Sequence, residues 1–296
     1  MSDAAQPLKE LKKEHEFLVG IDSDGCVFDT MEIKQKECFI PNICKYFGLQ
    51  SVAKYTREAG EFVNLYSKWR GVNRFPALVK TFELLEDRDE VKARGGKVPN
   101  YASLKKWCEE ETKLGNPALE KYVADHPEDE SMANVFEWSK AVNRTVADIV
   151  YGVGPFAYVR ESLKKINEKA DAIVVSQTPT EALVREWEEH NIQDQVKVIA
   201  GQEMGTKTEH LAFAIEGRYA KDHVLMIGDA NGDRKAAKAN GVLFYPINPG
   251  AEDASWKRFY EEAFDKFING TYAGEYENMV IAEFEGYLPE VPPWKK

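Results

Sequence analysis

The sequence predicts an α/β protein with a central parallel sheet covered by helices on both faces, together with a separate all-helical domain. Three observations carry this. Phe17, Leu18, Val19 and Ile21 form a short, nearly continuous apolar run, which suits a strand buried on both faces of a parallel sheet. From residue 152 onward, comparable runs alternate with helical patterns, and such alternation builds parallel sheets through right-handed crossovers. Residues 32 to about 150, by contrast, contain no convincing strand.

Taken in order, residues 1 to 15 are polar and read as a frayed surface helix. After the first strand, Phe39, Ile43, Tyr46 and Phe47 recur at helical spacing up to Gly48. Phe62, Leu65, Tyr66 and Trp69 do the same, as do Leu78, Phe82 and Leu85. Further helices are expected at 101–113, 117–124 and 131–150, separated by Pro99, Gly115-Asn116-Pro117 and His126-Pro127. This gives a helical insertion of roughly 120 residues, the size of a small domain. The domains are therefore 1–30 with 151–296, and 31–150 between them.

Beyond the insertion, Gly154-Pro155 opens a helix to about Glu168, with proline in the first turn. Strands follow at Asp171–Val175, Val196–Ala200, His223–Gly228 and Val242–Tyr245. Thr178-Pro179-Thr180-Glu181 and Thr206 to Glu209 both have the Thr-x-x-Glu form of a capping box. Asn231–Asn240 reads as a helix and Asn248-Pro249-Gly250 as a turn. Trp256, Phe259, Tyr260, Phe264 and Phe267 give a helix with an aromatic face that should pack on its own domain, and Tyr276–Phe284 is expected to be extended.

Composition narrows the function. Of 296 residues, 43% are hydrophobic and 30% charged, ordinary for a soluble protein. A net charge of −11, with no long Lys/Arg run, argues against nucleic acid and anionic membrane as partners. No stretch of 18 apolar residues occurs, and the first 16 residues lack an apolar central region. Cys26, Cys38, Cys44 and Cys108 have neither C-x-x-C spacing nor disulfide-scaffold density, so they read as reduced thiols in a cytoplasmic protein. P-loop, H-E-x-x-H and G-x-S-x-G signatures are absent, and the five histidines do not cluster.

The chemistry concentrates where strands end. Asp22, Asp24 and Asp29 follow the first strand at once, and like charges so close belong at a site that offsets them, as a hard cation such as Mg²⁺ would. Ligands of open α/β sheets sit beyond the carboxyl ends of the strands. There the chain also offers Ser176-Gln177, Lys207 and Asp229, an inventory suited to phosphoryl transfer. Asp29 is better placed as a helix N-cap than as a ligand. Lys197 and Lys221 compete with Lys207 as the ammonium.

Asp22-Ser23-Asp24-Gly25, Ser176, Lys207 and Gly228-Asp229-Ala230-Asn231-Gly232-Asp233 together resemble, in order, the four motifs of the haloacid dehalogenase superfamily. The likeness covers residues 17–29 and about 152–247, and the insertion falls where that superfamily places its first-type (C1) helical cap. It implies a Rossmann-like three-layer core and a phosphatase using Mg²⁺. In that pattern Asp22 is the nucleophile that forms an aspartyl-phosphate, and Asp24 is the general acid and base. Ser176, Gln177, Lys207 and Gly25 would bind the phosphoryl group, and Asp22, Asp24, Asp229 and Asp233 the metal. An aspartate at position 24 favours phosphate esters over carbon–halogen bonds. Cys26, where Thr or Val is usual, is assigned no chemistry.

The expected substrate is a small phosphorylated metabolite, and the protein a monomer or homodimer. Within the insertion, Lys68, Arg70 and Arg74 are candidate specificity residues. Arg70 and Arg74 would share a helix face if the helix survives Gly71, and the alternatives are a solvated basic face or ion pairs with Glu58 or Glu61. Two other functions stay open: a phosphomutase of the β-phosphoglucomutase kind, and a non-catalytic binding protein on the same fold.

Overall fold

The computed structural model describes residues 3–295; residues 1, 2 and 296, which the sequence places in a terminal helix and a terminal basic pair, lie outside the described residues. The chain separates into two compact units.

The first unit runs through Thr30 and resumes over Tyr151–Pro289. It holds one sheet of five strands, β1 Phe17–Ile21, β2 Ala170–Val175, β3 Val198–Ala200, β4 Val224–Gly228 and β5 Leu243–Pro246. They lie in the order β3-β2-β1-β4-β5, and every pairing is parallel. Because β1 is central, the chain turns one way to reach β2 and the other to reach β4, which opens a crevice at the carboxyl end of β1. Ile21 pairs with Val174 on one side and Ile227 on the other. Asp22, Ser176 and Asp229 therefore leave the sheet within one residue of a common level.

Strict alternation along the strands fills both faces. Val19, Ile21, Ala172, Val174, Leu225 and Ile227 meet Leu163, Trp256, Phe259 and Phe264. Leu18, Ile173, Val175, Val224 and Met226 meet Leu211, Ala237 and Phe284 on the other side. This is a three-layer, Rossmann-like α/β architecture, and the C-terminal aromatic helix packs on its own domain.

Several local expectations fail for identifiable reasons. Pro155 does not start a helix but bridges to Phe28, and the helix begins later, at Val159–Asn167. The segment expected to be extended forms the helix Glu275–Tyr287, which buries Val280 and Phe284 four residues apart. Near the N-terminus only Gln6–Lys9 is helical. Leu8 and Leu11 there are buried against the sheet rather than frayed.

At the amino end of the sheet, Asp171 is fully buried at the start of β2. It accepts from Tyr219 Oη at 2.6 Å and from the N–H groups of Glu14 and His15 at 2.9 and 3.1 Å, and pairs with Lys197 at 3.0 Å. Burial alone would raise its pKa, but these donors outweigh it and bring the carboxyl from an ordinary 3.8 down to about 2. A folded-state value below the unfolded one stabilises the protein above pH 4 and loses that contribution as pH falls toward 2. Asp171→Asn is thus expected to cost roughly 2 kcal/mol or more at pH 7, with the gap to the unaltered protein narrowing as pH falls from 4 to 2 in urea titrations. A gap that stays constant across that range would refute the ionised cluster.

The second unit comprises Met31–Val150 with the tail from Glu290. Its main helices are Ile40–Tyr46, Ala53–Asn64, Arg74–Glu86, Ala102–Glu110, Asn116–Asp125 and Glu130–Ile149. Phe75, Leu78, Phe82, Trp107 and Trp138 lie in its core. The tail corrects the expected boundary at 296. Arg88 is sandwiched between Tyr55 and Trp294, 4.5 Å from each ring, while Glu290 pairs with Lys68 and Lys295 with Asp87. Stacking of a guanidinium between two rings is what draws residue 294 into this unit.

Candidate active site

Asp22 stands one residue past β1, with its N–H donating to the Ile227 carbonyl at 3.0 Å. The next residue makes a tight turn: the Ser23 carbonyl accepts from the N–H groups of Cys26, Val27 and Phe28. The Ser23 hydroxyl is fixed beneath it by Trp187 Nε1 at 3.0 Å and Glu186 at 3.3 Å. Gly25 takes a positive φ of 75°, which favours glycine, and its N–H donates to the Phe28 carbonyl at 2.8 Å.

Asp22, Asp229 and Asp233 converge, each offering a carboxylate oxygen within 4.8 Å of the others, and all three are buried. Among the described residues no other cluster of His, Cys, Asp or Glu side chains does so. Lys207, the first residue of the helix Lys207–Ile215, bridges Asp22 at 2.8 Å and Asp233 at 2.6 Å. That helix begins with the capping box read from Thr206 and Glu209. Lys197 and Lys221 lie toward the amino end of the sheet, one on Asp171 and the other just before β4, so Lys207 is the lysine that reaches the aspartates.

Asp233 sits in the first turn of Asn231–Asn240, and its second oxygen accepts the Ala230 N–H at 3.0 Å. Gly228 makes this possible. A Cβ there would lie 2.3 Å from Asp233 Cγ, so only glycine leaves room for the carboxylate under the strand end.

Burial pushes the Asp22 carboxyl well above the ordinary range; Asp233 and Asp229 add to this, and Lys207 opposes without cancelling it. Asp233 is raised as well, again first by burial. Burial by itself would lower the Lys207 ammonium, but the charges of Asp22 and Asp233 override it and hold it above its usual value. Three carboxyl groups around one ammonium make an acidic, buried pocket of oxygens. That donor set fits a small divalent cation taking oxygen ligands, which Asp22 and Asp229 could hold. Asp233, the third of this group, accepts from Lys207 on one oxygen and from the Ala230 N–H on the other.

Around this centre, Ser176 is buried, with its N–H on the Ala200 carbonyl at 3.0 Å and its Oγ accepting from the Thr178 N–H at 3.2 Å. Gln177 is exposed and its side-chain amide donates to the Gly205 carbonyl at 3.0 Å. Asp24 is half-buried and accepts from two hydroxyls, Thr30 on one oxygen and Thr178 on the other at 2.8 Å. Neither threonine stands out in the sequence as a site residue. The local pattern makes Thr178 a helix cap, but the helix Thr180–Glu189 starts after Pro179 with no side-chain cap, because the Thr178 hydroxyl goes to Asp24. The second threonine of that run, Thr180, gives its N–H and hydroxyl to Glu203.

The three specificity candidates lie in the helical unit. The helix ends at Asn64, Gly71 takes a φ of 77°, and a new helix starts at Arg74, so Arg70 and Arg74 do not share a face. Arg70 is buried and donates to the Leu65 carbonyl at 3.0 Å. Arg74 donates to Asn143 at 2.7 Å and to Ser139, above the Phe39 ring. Glu58 pairs with Arg88, Glu61 with Arg57 and Lys68 with Glu290.

No helix among the described residues is long and apolar enough to cross a membrane. Comparison with curated proteins finds no match. Among solved structures, a haloacid dehalogenase-like family hydrolase from Streptococcus pneumoniae superposes with a TM-score of 0.51 at 13% identity, covering 83% of this chain and 91% of that one. A HAD-superfamily hydrolase of subfamily IA, variant 1, from Geobacter sulfurreducens gives 0.42 at 16% identity, covering 79% and 89%. At such identities the first likeness is one of fold. In sequence, residues 99–247 match the haloacid dehalogenase-like hydrolase family, a span that contains Ser176, Lys207, Asp229 and Asp233 while Asp22 joins them only through the fold. With half its length matched and the family's sheet beneath the match, this chain belongs to the haloacid dehalogenase-like hydrolases.

Proposed function

We propose that the protein is a Mg²⁺-dependent phosphatase of a small phosphorylated metabolite, with Asp22 as its nucleophile. The observation that carries the reading is the convergence of Asp22, Asp229 and Asp233 on one ammonium, Lys207, at the carboxyl ends of β1 and β4.

In this reading an Asp22 oxygen attacks phosphorus, and the bond from phosphorus to the ester oxygen breaks. The leaving oxygen takes a proton from Asp24, and an aspartyl-phosphate remains on Asp22. Asp24, now a carboxylate, takes a proton from water as that water attacks phosphorus; the bond to Asp22 breaks, and inorganic phosphate leaves. Lys207 and Ser176 hold the phosphoryl oxygens, and positioning with charge stabilisation supplies most of the rate. Asp22, Asp229 and the Asp24 carbonyl would hold Mg²⁺, whose charge offsets that of the carboxylates and the phosphoryl group. The helical unit is the cap in this proposal, the part that determines which substrate is accepted.

Phosphate release from a panel of phosphorylated metabolites, in Mg²⁺ and in excess chelator, tests the reading. Activity is expected in Mg²⁺, to fall at least 10²-fold in chelator and to return on adding the ion back. Isomerisation of a sugar phosphate without release would instead assign a mutase, and turnover indifferent to chelator would remove the metal.

A further inference from the structure

We propose that Thr178 is a positioning residue that holds Asp24 at the angle from which it protonates the leaving group. The inference rests on the role given to Asp24 in the proposed phosphatase reaction. Its geometric basis is independent of that role.

All three polar groups of Thr178 are spent, each on a different part of the site. The hydroxyl donates to Asp24 Oδ2 at 2.8 Å, the N–H to Ser176 Oγ at 3.2 Å, and the carbonyl accepts the Gln202 N–H at 3.1 Å. The loop that carries it is clamped from outside. Thr180 gives both N–H and hydroxyl to Glu203, at 2.9 and 2.7 Å, and Gly201 packs so closely that a Cβ there would lie 2.5 Å from the Thr180 nitrogen and 2.7 Å from the Thr178 carbonyl oxygen. Thr178 is thus a rigid bracket between the loop after β1 and the loop after β2.

From the other side, the Thr30 hydroxyl donates to Asp24 Oδ1, so both oxygens of one carboxyl are set by hydroxyls. The Asp24 backbone is pinned too, through its bridge to Phe28. Nothing about the fold requires this attention to a half-exposed side chain that lies outside the hydrophobic core. A proton-transferring group does require it, since its oxygen must be aligned with an atom about 3 Å away. Hydroxyls are well suited to such positioning because they add no charge, and a hydroxyl that donates to a carboxylate can rotate to accept from a carboxylic acid. Thr178 does not touch the reacting atoms in this scheme; it acts through Asp24.

The test compares two substrates of nearly equal size, 4-nitrophenyl phosphate, whose leaving group departs readily without a proton, and phenyl phosphate, whose leaving group needs one. Thr178→Val keeps the shape and removes the hydroxyl. Its kcat/KM, which reports the step that expels the leaving group, is expected to fall on the order of 10-fold or more further with phenyl phosphate than with 4-nitrophenyl phosphate. Thr178→Ser should restore the wild-type ratio. Equal losses on both substrates, or no loss, would overturn the inference, as would a Ser variant that behaves like Val. Thr178→Ala carries the same prediction if the Val protein does not fold. Asp24→Asn, run alongside, separates the two layers. A leaving-group-dependent loss there with none in Thr178→Val sinks the bracket alone, and a uniform result in Asp24→Asn sinks the acid assignment and the bracket with it.

Discussion

Asp22→Asn is expected to reduce hydrolysis of an aryl phosphate by on the order of 10⁴-fold or more, the scale on which removal of an enzyme's nucleophile is felt. Asparagine preserves the shape and the backbone bond to Ile227 but cannot attack phosphorus as a carboxylate does. The variant should nevertheless fold, and its melting temperature should equal or exceed that of the unaltered protein. Burial and the neighbouring Asp233 and Asp229 make the charged form of Asp22 costly, and Lys207 returns only part of that cost. Calorimetry and phosphate release on the same preparation check both halves. Turnover that survives the substitution would end the nucleophile assignment, and a protein that unfolds would show Asp22 to be structural.

Gly228→Ala is the second large expectation. The added methyl would sit 2.3 to 2.5 Å from the Asp233 side chain, a distance no pair of carbon atoms tolerates, and either the strand end or the carboxylate must move. Both outcomes unseat Lys207, because Asp233 is one of its two partners. A loss of about 1–3 kcal/mol in urea unfolding is expected from overpacking. A fall in kcat/KM of at least 10²-fold should follow if the ammonium proposed to bind phosphate is displaced by about an ångström. Normal activity in this variant would mean that the Lys207–Asp233 contact is dispensable to the chemistry.

How much of the molecule is legible in its sequence follows from which interactions are local. The strands announce themselves, since β-branched and aliphatic runs such as Ala170–Val175 answer only to burial on both faces. Asp22, Ser176 and Asp229 are legible because each follows a strand end directly, and the sheet's register brings those ends level. Lys207 is harder, one lysine among three, and only tertiary proximity to Asp22 singles it out. Thr178 misleads for a related reason. Thr-Pro-Thr-Glu is a sound local capping pattern, but a carboxylate 154 residues earlier in the chain outbids the helix for the hydroxyl. The Arg70–Arg74 question is settled against a shared face because the chain leaves its helix at Asn64 and turns through Gly71, at a φ of 77°, before the next helix begins at Arg74. The helix at Glu275–Tyr287 hides among residues of mixed propensity, where packing of Val280 and Phe284 decides the outcome.

The stacking of Trp294 on Arg88 has a bearing on how the protein is made and re-engineered. Residues 31–150 look like a cassette, yet their unit is closed by a piece of chain that the ribosome supplies about 140 residues later. Until then the emerging polypeptide holds Arg88 by Tyr55, Glu58 and Glu90 without its second ring, so the helical portion reaches its final stability only after the whole sheet has been synthesised. A chimera that transplants 31–150 into another host would leave this last strap behind, and it should carry residues 290–295 along as a second graft.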